Sequence, residues 1–188
     1  MTDTSQNLVK DNDFFGFSQQ INPSQVITET HATDSYQNVL FSLLRFRLYM
    51  GFYPARVTVV THEFKRKRFM DFHFPAVGLV PVTVSSKQDA ENRRVGVVGI
   101  NPPGSVTPVE ILIAGEEKSG IGLWSRDLYG VQAELAGKRV KRGWEAGMED
   151  GVFVNVGLEL VVEDLVRWDG GGGNEWFGQM EELPWYSS

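Results

Sequence analysis

The stretch DSYQNVLFSLLRFRLYMGFYPARVTVVTHEFKRKRFMDFHF, residues 34–74, decides the fold. Asp34-Ser35 opens a helix, because either side chain can accept hydrogen bonds from the exposed amides of a first turn. Tyr36, Val39, Leu40, Leu43, Phe46, Leu48 and Met50 include the three-and-four-apart spacings of a buried stripe, while Arg45 and Arg47 can extend their charged ends into solvent. Gly51 suits the left-handed position past a helix end, and Pro54 blocks continuation. Val57 to Val60 is a short, β-branched, nearly continuous apolar run, which predicts a central strand covered on both faces in a parallel sheet. After Thr61, His62 and Glu63, the spacing of Phe64, Arg68, Phe69 and Phe72 predicts a second helix to Phe74. Helix, strand and helix in succession predict a doubly wound α/β architecture.

The flanks are less decided. Residues 1–24 are polar and read as an irregular segment, and Gln25 to Glu29 alternates weakly enough to predict a short strand. Leu79 to Val84 and Val95 to Ile100 are further strands, separated by a charged turn at Asp89 to Arg94, and Asn101-Pro102-Pro103-Gly104 is a turn. Pro108 to Ala114 begins a helix, Gly115 to Gly122 reads as a loop, and Asp127 to Arg142 has helical spacing. Val152 to Val166 fits either strand or helix. Gly170 to Gly173 is a linker, so the expected division is an α/β domain over 25–169 and a flexible acidic, aromatic tail over 170–188.

Composition narrows the classes. At 188 residues, with 41% hydrophobic and 22% charged residues, the chain is that of one globular domain. No run approaches the roughly 18 apolar residues of a membrane span, and the first twenty residues lack a charged start followed by an apolar run, so an intracellular, cytoplasmic location is expected. The absence of cysteine excludes disulfides, thiolate nucleophiles and zinc–thiolate sites. From Gly143 onward ten acidic residues face Arg167 alone, a net −9, so the preceding residues carry +3 against the total of −6. The basic clusters Lys65 to Arg68 and Lys138-Arg139 with Lys141-Arg142 fit phosphate contacts or plain solvated faces, the latter being the commoner role of such clusters. They are short and lack interleaved aromatics, so no nucleic-acid partner is expected.

Open α/β sheets bind ligands at the carboxyl ends of strands, where helix N-termini favour anions. That rule selects Glu29 to Asn38 and Thr61 to Arg68. In the second, four cations at a helix start oppose its dipole, which calls for screening by solvent or by an anion. Lys65 and Arg68 lie three apart on one face, near Thr61. Glu29 and Asp34 offer carboxylates for acid–base work or for a ribose-like hydroxyl, set against ordinary roles as a cap and a solvent-facing acid. Ser35 and Asn38 stand in the first helical turn. His31, His62 and His73 are too scattered for a metal site, and His62-Glu63 lacks the second histidine of a zinc helix. Gly120-Ile121-Gly122 is only a fragment of a dinucleotide fingerprint.

Two of these segments together, Glu29 to Asn38 (ETHATDSYQN) and Val59 to Phe69 (VVTHEFKRKRF), resemble the paired signatures of the YdcF/SanA-like family, a domain of unknown function (218). Val98 to Pro103 and Asp127 to Arg142 resemble the C-terminal part of its fungal-type branch. The resemblance implies a Rossmann-like three-layer sandwich with a mostly parallel sheet and a polar pocket at the strand ends. Its lining would be Glu29, Ser35, Asn38, Thr61, Lys65 and Arg68. Bacterial relatives carry histidine at the position of Lys65, which favours anion binding there over acid–base work. It also implies S-adenosylmethionine as one candidate ligand. The family begins with a glycine-rich turn and a strand–helix pair upstream of the glutamate motif, so the sheet is expected to be incomplete on its N-terminal side, with an edge prone to pairing. Two functions are therefore expected in competition: binding of a small anionic or nucleotide-like molecule, or a non-catalytic remnant whose acidic tail meets a basic partner protein.

Overall fold

α1, Ser35–Met50, starts and stops where its caps require. Asp34 accepts the Gln37 N–H at 2.8 Å, and Gly51 closes the helix at φ 82 with its N–H on the Arg47 carbonyl at 2.9 Å. The structure, a computed structural model, describes residues 10–79 and 94–186. The expected strand over Leu79 to Val84 and the turn at Asp89 to Arg94 lie almost wholly outside that range.

β1, Val57–Thr61, and β2, Val95–Gly99, pair in parallel, with Val57 opposite Val95 and Thr61 opposite Gly99. A helical stretch, α2, follows β1: a 3-10 turn at Glu63–Lys65, α-helix at Arg66–Arg68, a π turn at Phe69–His73 and α-helix at Phe74–Ala76. Pro75 has no N–H to give the carbonyl of Asp71, and the backbone widens in the turn directly before it. Phe69, His73 and Phe74 all lie buried. After β2 comes α3, which runs through Val109–Glu116, a π turn at Glu117–Ile121 and Gly122–Trp124. Then follow α4 at Ala133–Val140, α5 at Met148–Phe153 and α6 at Leu160–Arg167.

The core lies between α1 and one face of the sheet. Tyr36, Val39, Leu40, Phe41, Leu43 and Leu44 of α1 are buried with Val95 and Val97 of β2, while Val57 and Val59 pack against them. Burying a side chain of this size contributes about 1.5–3 kcal/mol, which is why the first three turns of α1 are covered nearly all round. The predicted stripe weakens beyond Leu44, and Met50 is exposed.

Several expectations give way to tertiary context. β1 is not a strand covered on both faces: Val60 is 70% exposed and its register partner Val98 is 49% exposed, because no described helix lies over that face. The described residues form a mixed α/β body with a two-stranded sheet, and the third layer of a sandwich is not among them. Gln25 ends a 3-10 turn at Pro23–Gln25, and the stretch on to Glu29 pairs with no strand among the described residues. Gly115 to Gly122 is helical instead of a loop. The ambiguous Val152 to Val166 resolves into the end of α5, a non-helical connection and most of α6.

The acidic tail is the largest correction. Phe177, Leu183 and Trp185 are buried in the core, and Trp185 Nε1 donates to the Val77 carbonyl at 2.7 Å. The Phe177 N–H is taken by the Tyr129 hydroxyl at 2.9 Å. Aromatic side chains of 150–250 Å² each supply enough burial to order a segment that glycines and acids alone would leave loose. The acidic residues Glu181 and Glu182 stay on the outside.

Candidate functional site: a cationic cavity beside β1

A cavity of about 810 Å³ opens between α1 and β1. From α1 it takes Ser35, Asn38, Val39, Ser42, Leu43 and Phe46, which recur three and four apart along one face. All five residues of β1 line it, so the strand presents its edge, the one not paired to β2 among the described residues. Lys65 and Arg68 of α2, Ser119 and Trp124 of α3, and Leu135, Lys138 and Arg142 from α4 and its end close the wall.

Of the residues selected from sequence, Asp34, Ser35, Asn38, Thr61, Lys65 and Arg68 meet here. Glu29 does not reach the lining. Its carboxylate accepts the backbone N–H groups of His31 at 2.7 Å and Ala32 at 2.8 Å, which orders the loop into α1. Asp34 lines the cavity but is fully engaged. Oδ1 caps α1, and Oδ2 accepts from Arg139 Nε at 2.5 Å, in a pair whose side chains are 6% and 7% exposed. Arg139 also donates to the Tyr129 carbonyl at 2.6 Å.

The four cations of residues 65–68 part company. Arg66 turns to Glu63, with bonds of 2.6 and 2.7 Å, and to the Val97 carbonyl at 2.8 Å. Arg68 reaches into the cavity wall, donating to Glu116 at 2.5 Å and to Ser35 Oγ at 3.2 Å. Lys67 is exposed. The dipole conflict seen in the sequence is thus relieved partly by the protein's own acids, and Lys65 is left facing the cavity.

Ser35 Oγ also lies 2.8 Å from His73 Nε2. His73 is fully buried between Tyr36, Phe69 and Trp124, with Nδ1 unpartnered among the described residues. Burial foremost, and then the guanidinium groups of Arg68 and Arg139, push its pKa well below the ordinary value, so the ring is neutral.

Sequence reasoning did not name Lys138 and Arg142 of the lining as site residues, and it left out His73, Glu116 and Arg139, which lie behind the wall and hold Ser35, Arg68 and Asp34. For two of them a signal existed: Lys138 and Arg142 are four apart, the spacing that puts both on one helix face. For Glu116 and His73 the sequence offers none. Counting charges on the lining, Arg56, Lys65, Arg68, Lys138 and Arg142 stand against Asp34, whose charge is spent on Arg139. The described residues bring together no cluster of three or more metal-ligating side chains.

The fold and this wall define a helix-rich α/β protein with a cationic cavity at a strand-to-helix junction. The chain is similar to "Uncharacterized protein YOR238W" of Saccharomyces cerevisiae, 26% identical over 146 residues, which cover 74% of this chain and 42% of that relative. The chain thus spans less than half the length of the curated relative it matches. No family model matches it, and no solved structure does. Membership of the YdcF/SanA-like family is not supported by these comparisons. No helix among the described residues is long and apolar enough to cross a membrane.

Proposed function

We propose that this chain binds a small anionic molecule, carrying a phosphate or carboxylate, in the cavity between α1 and β1. One observation carries the reading: among the described residues five cations line the cavity, and the one carboxylate on that lining is already neutralised by a buried arginine. An anion is the group that lowers the energy of such a wall, and the N-terminus of a sixteen-residue helix at Ser35 adds to the attraction. The apolar stretch of the lining, with Val39, Leu43 and Phe46, suits a nucleoside-like body beyond the anion. The resemblance to the YdcF/SanA-like motifs supports the same place in a Rossmann-like sheet. S-adenosylmethionine fits less well than a phosphate ester, because its sulfonium would meet like charge.

The test is thermal unfolding of the whole chain against inorganic phosphate, pyrophosphate, a sugar phosphate, AMP and S-adenosylmethionine. A ligand at one hundred times its Kd stabilises the folded state by about 2.7 kcal/mol, a rise of roughly 5–11 °C in Tm for a domain of this size. Lys138→Gln, which removes a cavity cation held among the described residues by the Ser119 carbonyl at 3.0 Å, should reduce that rise while leaving the unliganded Tm near its parent value. An unchanged Tm across all five compounds overturns the reading.

A second reading, a protein-interaction module, is favoured by the open sheet face at Val60 and Val98. The acidic tail no longer supports it, since its aromatic anchors are buried in the core.

A further inference from the structure

Among the described residues each cation of the cavity has a hydrogen-bond or ion-pair partner except one. Arg68 is held by Glu116 and Ser35, Lys138 by the Ser119 carbonyl, Arg142 by the Thr33 carbonyl at 2.8 Å, and Arg56 is also engaged. Among the described residues the Lys65 ammonium has no hydrogen bond and no carboxylate within ion-pair distance; its recorded contact is the Phe64 ring, 5.6 Å from Nζ. Lys65 nevertheless lines the cavity and is half-buried. The charges that face it are Arg68 of α2, Glu116 of α3 and Arg142 beyond α4. Burial first, then Arg68 and Arg142, lower its pKa, and Glu116 acts in the opposite direction.

A lysine set in this way differs from a simple phosphate clamp. Arginines and a second lysine supply the fixed positive field, and the remaining amine, without a hydrogen-bond or ion-pair partner among the described residues, is partly desolvated and crowded by like charge, the surroundings in which lysine becomes a nucleophile. We propose that Lys65 is a covalent anchor whose neutral amine condenses with the carbonyl of a small anionic aldehyde or keto acid held in the cavity. The nitrogen lone pair bonds to the carbonyl carbon and a proton moves from nitrogen to oxygen, giving a carbinolamine. That oxygen then leaves as water with the second amine proton, and the C=N bond of an imine remains. Addition and dehydration balance without an oxidant or reductant. The anionic group is held by Arg68, Lys138 and Arg142, so the inference rests on the anion-binding reading and sharpens its ligand class.

The experiment exposes the whole chain at pH 7 to glyoxylate or to glycolaldehyde phosphate, with butanal as neutral control. Sodium cyanoborohydride traps any imine as a stable secondary amine, and peptide mass spectrometry locates it. Lys65 is expected to be alkylated at least about tenfold faster than Lys67, its exposed neighbour, by whichever anionic aldehyde fits, since a bound carbonyl reacts at raised effective concentration. Inorganic phosphate should suppress that preference, and butanal should show none. Lys65→Arg should abolish the preferred site while phosphate still binds by calorimetry.

Equal rates at Lys65 and Lys67, or equal preference with butanal, overturn the covalent role. If phosphate binds in that case, the anion reading stands without it; if phosphate does not bind either, both fall.

Discussion

Replacing Asp34 with alanine removes two interactions at once, and the structure fixes the size of each. Oδ1 caps the first turn of α1 through the Gln37 N–H at 2.8 Å, and losing such a cap costs about 1 kcal/mol. Oδ2 holds Arg139, whose side chain is 6% exposed, and removing one partner of a buried pair strands the other charge at a cost of about 3–5 kcal/mol. The expected loss is therefore about 4–6 kcal/mol, a large share of the roughly 5–15 kcal/mol that holds an ordinary domain folded. Asp34→Asn should cost about 1 kcal/mol less than the alanine change, because the amide oxygen keeps the cap. The double variant Asp34→Ala with Arg139→Met should regain much of the loss, since no charge is left stranded. Urea unfolding at pH 7, followed by far-UV circular dichroism, measures all three. A loss below about 1 kcal/mol for Asp34→Ala, or a double variant weaker than the two single changes added together, would refute the claim that the pair is buried and mutually dependent.

His73 predicts a pH dependence. Its folded pKa is depressed while the unfolded chain titrates near about 6.5, so below that pH the unfolded state binds a proton that the folded state refuses. Stability should fall as pH drops from about 6.5 toward 5, by up to roughly 1.4 kcal/mol per unit, and His73→Gln should flatten that slope in urea titrations. Trp185→Ala, at a residue 1% exposed, should cost about 3–5 kcal/mol, and a chain ending at residue 173 should lose its cooperative melt. Retention of the parent Tm in either would mean the tail is not part of the core. Gly130→Ala places a Cβ 2.5 Å from the Arg139 guanidinium at φ +69, so it should lower stability by more than about 1 kcal/mol, whereas Gly104→Ala, which meets nothing within 4 Å, should leave it nearly unchanged. Differential scanning calorimetry separates the two.

What the sequence determined by itself was local. The cap at Asp34, the stop at Gly51, the strand from Val57 and the helix after it depend on propensity and spacing within a few residues, and all four stand in the structure. The strand-end rule likewise brought Ser35, Asn38, Thr61, Lys65 and Arg68 to one cavity, because it needs only the order of a strand and the helix after it. Tertiary structure decided what those residues meet. Asp34 finds Arg139, Ser35 finds His73, and Arg68 finds Glu116, pairings 105, 38 and 48 positions apart that no periodicity encodes. It also turned Glu29 from a ligand candidate into a loop cap, and a tail that reads as flexible, acidic and aromatic into part of the core. Burial of a few aromatics outweighs the average composition of the segment that carries them, and a carboxylate's role depends on which donor reaches it first in three dimensions.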